Sequence, residues 1–382
     1  MLTRHELIDT ERTVRDMQVL SIYLDGSAHD PARRTVWRTQ LEHALQHARD
    51  RIENPAQARA FDQAAARLHQ ALAPLTGAVG APGWVAFVTP DAIRLQTPLP
   101  VPTPLRVHWG QGALIAPALR ALKEARAAIV AIVDSRSAHI FRYAQRRLEP
   151  LGVLHAYTPL EPVSHMGTPP HTGFHTGTRG RTGTDAAERE HRAGREQLVR
   201  ELASRIVELA GSDSWVLLGG APEAAHEAMA VLPNDVAARA LLMPELQLHA
   251  THSDIARHAA KGASTLRRRE ELAAVRTLVE RAAGGGRAAI GITPVKHALE
   301  SGGVQRLYMS SHFTEEHPLR ATVLARSTFD EGGDVEVVSG EGAALLDMVD
   351  AEGVGALLRF TVSSRPRSML HEETAPRDTP AS

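Results

Sequence analysis

The residues best suited to chemistry fall between positions 164 and 209. The stretch SHMGTPPHTGFHTGTRGRTGTD holds no acidic residue between Glu161 and Asp185, and Arg179 and Arg181 flank Gly180 within it. A guanidinium pairs with phosphate through a bidentate fork, and phosphate contacts dominate affinity for RNA. Gly177, Gly180 and Gly183 keep such a loop flexible, since glycine tolerates unusual backbone angles. Arg179, Gly180, Arg181 and Gly183 are therefore candidate RNA-binding positions. Behind them Arg189, Arg192 and Arg195 extend the run of cations. Their competing use is pairing with Glu188, Glu190, Glu196 and Glu201 at i,i+3 or i,i+4 spacing along a helix. Arg267 and Arg268, followed by Arg269, form a second basic cluster that either tracks phosphates or solvates an interdomain helix.

Other groups are weaker. His171 and His175 have the separation of two zinc ligands, but that spacing needs a helix, and Pro169-Pro170 and Gly173 forbid one there. His165 and His191 do not complete a set, so no metal is expected. Asp134 ends an apolar strand. A metal-dependent nuclease would need several converging acids, and a turn-capping role is the commoner use of such an Asp. Leu217-Leu218-Gly219-Gly220 lacks the Gly-Lys-Ser/Thr ending of a phosphate loop. No catalytic residue and no cofactor follow from these patterns.

The elements that must position these residues read as several domains. With 382 residues, 43% hydrophobic and 23% charged, the chain exceeds one ordinary core and has globular composition. The absence of cysteine excludes disulfides, thiolate catalysis and Cys-ligated zinc, and suits a cytoplasmic protein. No apolar run approaches the ~20 residues of a membrane span, and the charged MLTRHELIDTERT start is unlike a secretory signal. The net charge of −1 leaves nucleic-acid contact to local basic patches, and 4% aromatics argue against a base-stacking platform.

Residues 1–122 read as an α+β domain. It has a capping-box helix at Thr3 and Glu6, a strand at 19–24, helices over 33–52 and 56–75, and a hairpin at 84–88 and 92–96. Residues 123–282 form a central domain with strands at 127–134, 138–144, about 148–156, 215–220 and 246–250. It carries the extended loop 164–184, a long helix from 185 to 210 and a second from 253 to about 281. Residues 283–364 alternate strand and helix, the pattern of a three-layer α/β sandwich. Residues 365–382 have little to bury and read as a disordered tail.

Two motifs carry a family resemblance. GITPVKHALESGGVQRLYMSSH (291–312) and EGVGALLRF (352–360) resemble the C-terminal domain of archaeal and eukaryotic class-I release factors and Pelota. AAIVAIVDSRSAHIFRYAQRRLEPL looks like the opening of their central domain, which implies an RNase-H-like sheet. VLSIYLDG and GWVAFVTPDAIRLQTPLP are similar to the divergent bacterial branch, the bacterial archaeo-eukaryotic release factor family. Catalytic members carry Gly-Gly-Gln at the tip of the central loop. This loop has no Gln; Gly110-Gln111 lies in the first domain and Gln197 in the helix.

The resemblance thus implies a cytoplasmic, ribosome-binding protein acting in rescue, hibernation or stress protection through rRNA, and in some states tRNA, without Gly-Gly-Gln catalysis. It further implies a translational GTPase partner and no membrane. Two alternatives stay open: a peptidyl-tRNA hydrolase whose loop uses groups other than Gln, and a protein-interaction scaffold of the same fold.

Overall fold

The computed structural model describes residues 2–26, 36–74, 79, 81–124, 126–156, 183–349 and 352–361. The tail expected beyond residue 364 lies outside them. The fold is a multidomain mixture of α+β and α/β parts built on three sheets.

The first sheet has the order β3-β2-β1-β4. β1 (Gln18–Asp25) is its centre, buried from Val19 to Leu24 and antiparallel to β2 (Gly83–Val88) and β4 (Arg106–Gln111). β3 (Ile93–Leu99) forms the edge beside β2. Helix α1 (Arg4–Val14) opens with the expected capping box, Thr3 and Glu6 satisfying each other's backbone amides. α2 (Val36–Asp50) and α3 (Pro55–Leu72) repeat apolar residues at helical spacing. Leu41, Leu45, Phe61 and Leu68 pack on Leu20, Ile22 and Leu24 of β1.

The second sheet runs β7-β6-β5-β8-β9. β5 (Ala128–Val133), β6 (Ser137–Ala144) and β7 (Arg147–His155) form an antiparallel meander. β8 (Trp215–Gly220) and β9 (Ala240–Leu242) add in parallel on the other side of β5. This is the RNase-H-like arrangement. β5 is an unbroken apolar run because both its faces are covered. Ile129, Ala131 and Val133 face α5 (Gly183–Ala210) and α6 (Pro222–Val231). Ala128, Val130 and Ile132 face the first half of α8 (His252–Ala283).

The strand expected at 246–250 is absent. Those residues form turns, with the Leu246 amide donating to the Met243 carbonyl and the Leu246 carbonyl accepting from Gly220. The last strand is the three-residue β9, reached through the one-turn α7 (Asn234–Ala237). A stretch that short carries no readable alternation.

The third sheet has the order β10-β13-β11-β12. Its strands are β10 (Ala288–Ile290), β11 (Val304–Ser310), β12 (Asp334–Val338) and β13 (Val354–Leu358). Only β11 and β12 pair in parallel. Val275 and Leu278 of α8 join Ala343 and Leu346 of α12 (Gly340–Val349) on one core cluster. α9 (Ile292–Glu300) and α11 (Pro318–Asp330) are the remaining layer of this α/β sandwich. Among the described residues three helices were not expected from the sequence, the one-turn α7, α4 (Ala116–Glu124) and α10 (Ser311–Glu316). The described residues group into two compact units: 1–113 with 121–270, and 114–120 with 271 onward.

Candidate functional site

The sequence-derived positions fare differently. Arg179, Gly180 and Arg181, with His165, His171 and His175, lie outside the described residues. Gly183 is the first residue of α5, two positions before the start read from sequence, and Arg189 lies on that helix. The side chains of α5 are described from Arg192 onward. Arg192 is exposed. Arg195 is half-buried and reaches across to α6, 2.7 Å from Glu227 and 3.5 Å from Glu223. Its charge therefore holds two helices together. Farther along, Arg200 pairs with Glu196 and Arg205 with Glu208, the i,i+4 and i,i+3 pairing of a solvated face.

Two other readings are resolved by local geometry. Asp134 Oδ1 accepts the amides of Arg136 and Ser137, each at 2.7 Å, so this carboxylate caps the β5–β6 turn. The Gly219-Gly220 turn offers no phosphate cradle. The Gly220 amide donates to Leu246 and the Ala221 amide to Val133, leaving those donors engaged in the chain itself. Gly220 has φ +102, and a Cβ there would lie 2.0 Å from the Val133 carbonyl oxygen, so glycine is required for this close strand approach. Among the described residues no cluster of three His, Asp or Glu could hold a metal.

Arg267 belongs to a cleft that the sequence did not reveal. Its cations come from four separate places: Lys123 on α4, Arg126 just before β5, Arg146 at the β6–β7 turn and Arg267 on α8. Pro100, Val101 and Pro102, which follow β3, close one side, and the cavity measures about 190 Å³. Among the described residues lining it, none is acidic. Arg268 and Arg269 are exposed on the same helix, outside the lining. Arg195 and Arg267 sit on helices covering opposite faces of the sheet, so the two basic clusters of the sequence are not brought together.

Local structure explains how two of these cations are held. The Arg126 guanidinium lies 3.5 Å from the centre of the Trp215 ring. It also donates to the Asp213 carbonyl, and at 2.9 Å to Glu270. Arg146 and Gln145 are the two residues of a tight hairpin, Ala144 pairing with Arg147. Both have positive φ, 62° and 52°, the pattern of a type I′ turn that glycine and asparagine normally occupy. Left-handed backbone at a non-glycine residue costs on the order of 1 kcal/mol each and often marks a functional position. Burial pushes the Tyr143 phenol up, and the nearby Arg146 charge opposes it. No sequence motif announced this site. The one cue was the basic Gln-Arg-Arg between two strands.

A mixed sheet of this order, covered by a long helix on each face, is what the sequence resemblance implied for the central domain. The sequence comparison agrees, because residues 114–264 match the model of Bacterial archaeo-eukaryotic release factor family 10. The similarity to that family rests on this segment. No curated protein matches it in sequence. Among solved structures, Archaeoglobus fulgidus Pelota is 16% identical over 73% of this chain and 79% of that one, with a TM-score of 0.38. The archaeal translation termination factor aRF1 is 19% identical over 94% and 99%, with a TM-score of 0.26. Saccharomyces cerevisiae Dom34, a translation termination-like factor, is 11% identical over 63% and 66%, with a TM-score of 0.41. Among the described residues no helix is long and apolar enough to cross a membrane.

Proposed function

We propose that this protein is a cytoplasmic ribosome-binding factor that acts in rescue, hibernation or stress protection. It contacts rRNA, and tRNA where present, without Gly-Gly-Gln catalysis. The observation that carries the reading is the match of residues 114–264 to a release-factor family model. The loop of that segment holds Arg179 and Arg181 but no Gln. Cations with no acid near them in sequence are suited to phosphate. Hydrolysis by the route of the Gly-Gly-Gln members needs a side chain that this loop lacks. The third sheet's domain is left to a protein partner, a translational GTPase by the family resemblance.

The test is co-sedimentation with ribosomes from resting cells, at low and physiological salt, with the full chain and a variant lacking residues 164–182. Sedimentation that weakens when the loop is removed is expected. Absence of the full chain from every ribosomal fraction overturns the proposal. A single-turnover assay on peptidyl-tRNA in ribosomes separates binding from hydrolysis. Background-level release is expected, and release well above background would make the protein an esterase with a different set of groups.

A further inference from the structure

The cleft formed by Lys123, Arg126, Arg146 and Arg267 is outside the loop on which the ribosome reading depends. Its cations come from α4, the start of β5, the β6–β7 turn and α8. Lys123 and Arg126 lie three residues apart, whereas Arg146 and Arg267 come from distant stretches of the sequence. One is fixed by stacking and ion pairing: Arg126 stacks on Trp215 and pairs with Glu270. Another stands at a turn whose two non-glycine residues both adopt left-handed backbone. A strained Gln-Arg pair, where Asn-Gly would be relaxed, is expected where the side chains are needed at that spot.

The chemistry of the lining selects the ligand. Like charges converge without a carboxylate among the lining residues, which favours an anion with several acceptor oxygens. Both aromatic side chains in the lining are buried, Trp215 5% and Tyr143 9% exposed, and Arg126 covers the indole face. No open ring is left there on which a base could stack, so the cleft recognises phosphate and not a nucleobase. Arg147, next along the hairpin, and Arg268 and Arg269, next along α8, are exposed as well.

We infer that this cleft binds a backbone phosphate of RNA, with Arg146 and Arg267 as the direct contacts and Arg126 as the residue that positions the wall behind them. Choosing RNA as the carrier of the phosphate rests on the ribosome reading above; the preference for phosphate rests on the lining alone.

The test uses the full chain and a fluorescent RNA hairpin, with affinity measured across ~50 to ~200 mM salt. Arg146→Ala and Arg267→Ala are each expected to weaken binding several-fold whatever the RNA sequence. Each should also lower the log–log salt slope by about 1. Arg146→Lys, which keeps the charge, should restore the slope. Arg59→Ala on α3, with an unchanged melting temperature in every variant, is the control. Wild-type affinity and slope in both alanine variants overturn the cleft. So does competition by inorganic phosphate or adenosine monophosphate as effective as that by unlabelled RNA, which would move the site to free anions. Ribosome co-sedimentation run in parallel keeps the two readings apart. Binding of the hairpin through the cleft without sedimentation rejects the ribosome reading alone. Normal, equally salt-dependent sedimentation and hairpin binding by the variants reject the cleft alone.

Discussion

Replacing Arg126 with alanine tests whether the cleft wall is built as described. Three interactions are lost. The Glu270 pair, at 2.9 Å with side chains 20% and 53% exposed, is partly screened by solvent and contributes about 0.5–1 kcal/mol. The bond to the Asp213 carbonyl contributes about 1 kcal/mol. The stack on Trp215, a ring 5% exposed, contributes about 1–2 kcal/mol at a desolvated site. Together the loss is roughly 3 kcal/mol, or a melting shift of about 6–9 °C for a domain of this size. Arg126→Lys keeps a cation for Glu270 but loses the planar fork and its stack, so about half of the loss should remain. Thermal unfolding followed by tryptophan emission reads both effects, and a Trp215→Phe background assigns the signal among the four tryptophans. A loss below about 1 kcal/mol with unchanged Trp215 emission would refute the assignment, since none of the three terms would then be contributing. Because Asp213 and Glu270 already offset its charge, Arg126→Ala should lower the RNA salt slope less than Arg146→Ala does.

Three further outcomes follow from particular residues. Glu271 is 1% exposed and accepts both the Ser339 amide and hydroxyl at 2.8 Å, capping the start of α12. Glu271→Ala should cost roughly 2–4 kcal/mol in chemical denaturation, with Glu271→Gln intermediate; a loss within error of zero would show the cap is dispensable. Gly220→Ala should destabilise by roughly 3 kcal/mol or more, because the new Cβ meets the Val133 carbonyl. Gly211→Ala, at φ +51 with open space around its Cβ, isolates the backbone strain at about 1 kcal/mol. His108 on β4 titrates below its ordinary 6.5, through burial and then the Arg106 charge. A base so depressed takes up its proton first in the unfolded chain. Stability is then full above about pH 6.5 and falls as pH drops toward the folded value. His108→Gln should flatten that fall in a denaturation series over this range, and an unchanged pH profile would exclude His108 as its source.

Much of the fold is written in local pattern. VLSIYL is rich in β-branched and apolar residues and AAIVAIVD is a continuous apolar run up to its Asp, and both form central strands buried on both faces. The third domain's alternation of strand and helix survived almost intact, its helices starting within one to three residues of the positions read from sequence. What failed was short or displaced. LQLHA has the composition of a strand, yet Leu246 is buried through a turn whose bonds go to Met243 and Gly220. Tertiary packing overrode propensity there. α4 and α10 are nine and six residues long, too short for a helical period to stand out.

The site was less legible, for a geometric reason. A run such as AIVAIV says that both faces of a strand are covered, but not which helix covers which face. In the fold, the odd-numbered residues of β5 meet α5 and α6 and the even-numbered ones meet α8. That single parity puts Arg195 and Arg267 on opposite sides of the sheet and keeps the two basic clusters of the sequence apart. The same topology brings together Lys123, Arg126, Arg146 and Arg267, which in sequence are ordinary basic residues with no spacing rule between them. Clusters of like charge in a sequence therefore mislead in both directions here. Arg195, amid a run of arginines, is consumed by Glu223 and Glu227, whereas Arg146 gains its place from a two-residue turn that no turn rule would assign to Gln-Arg. A cation's partner is set by the sheet order, and only residues brought together by that order can share a phosphate.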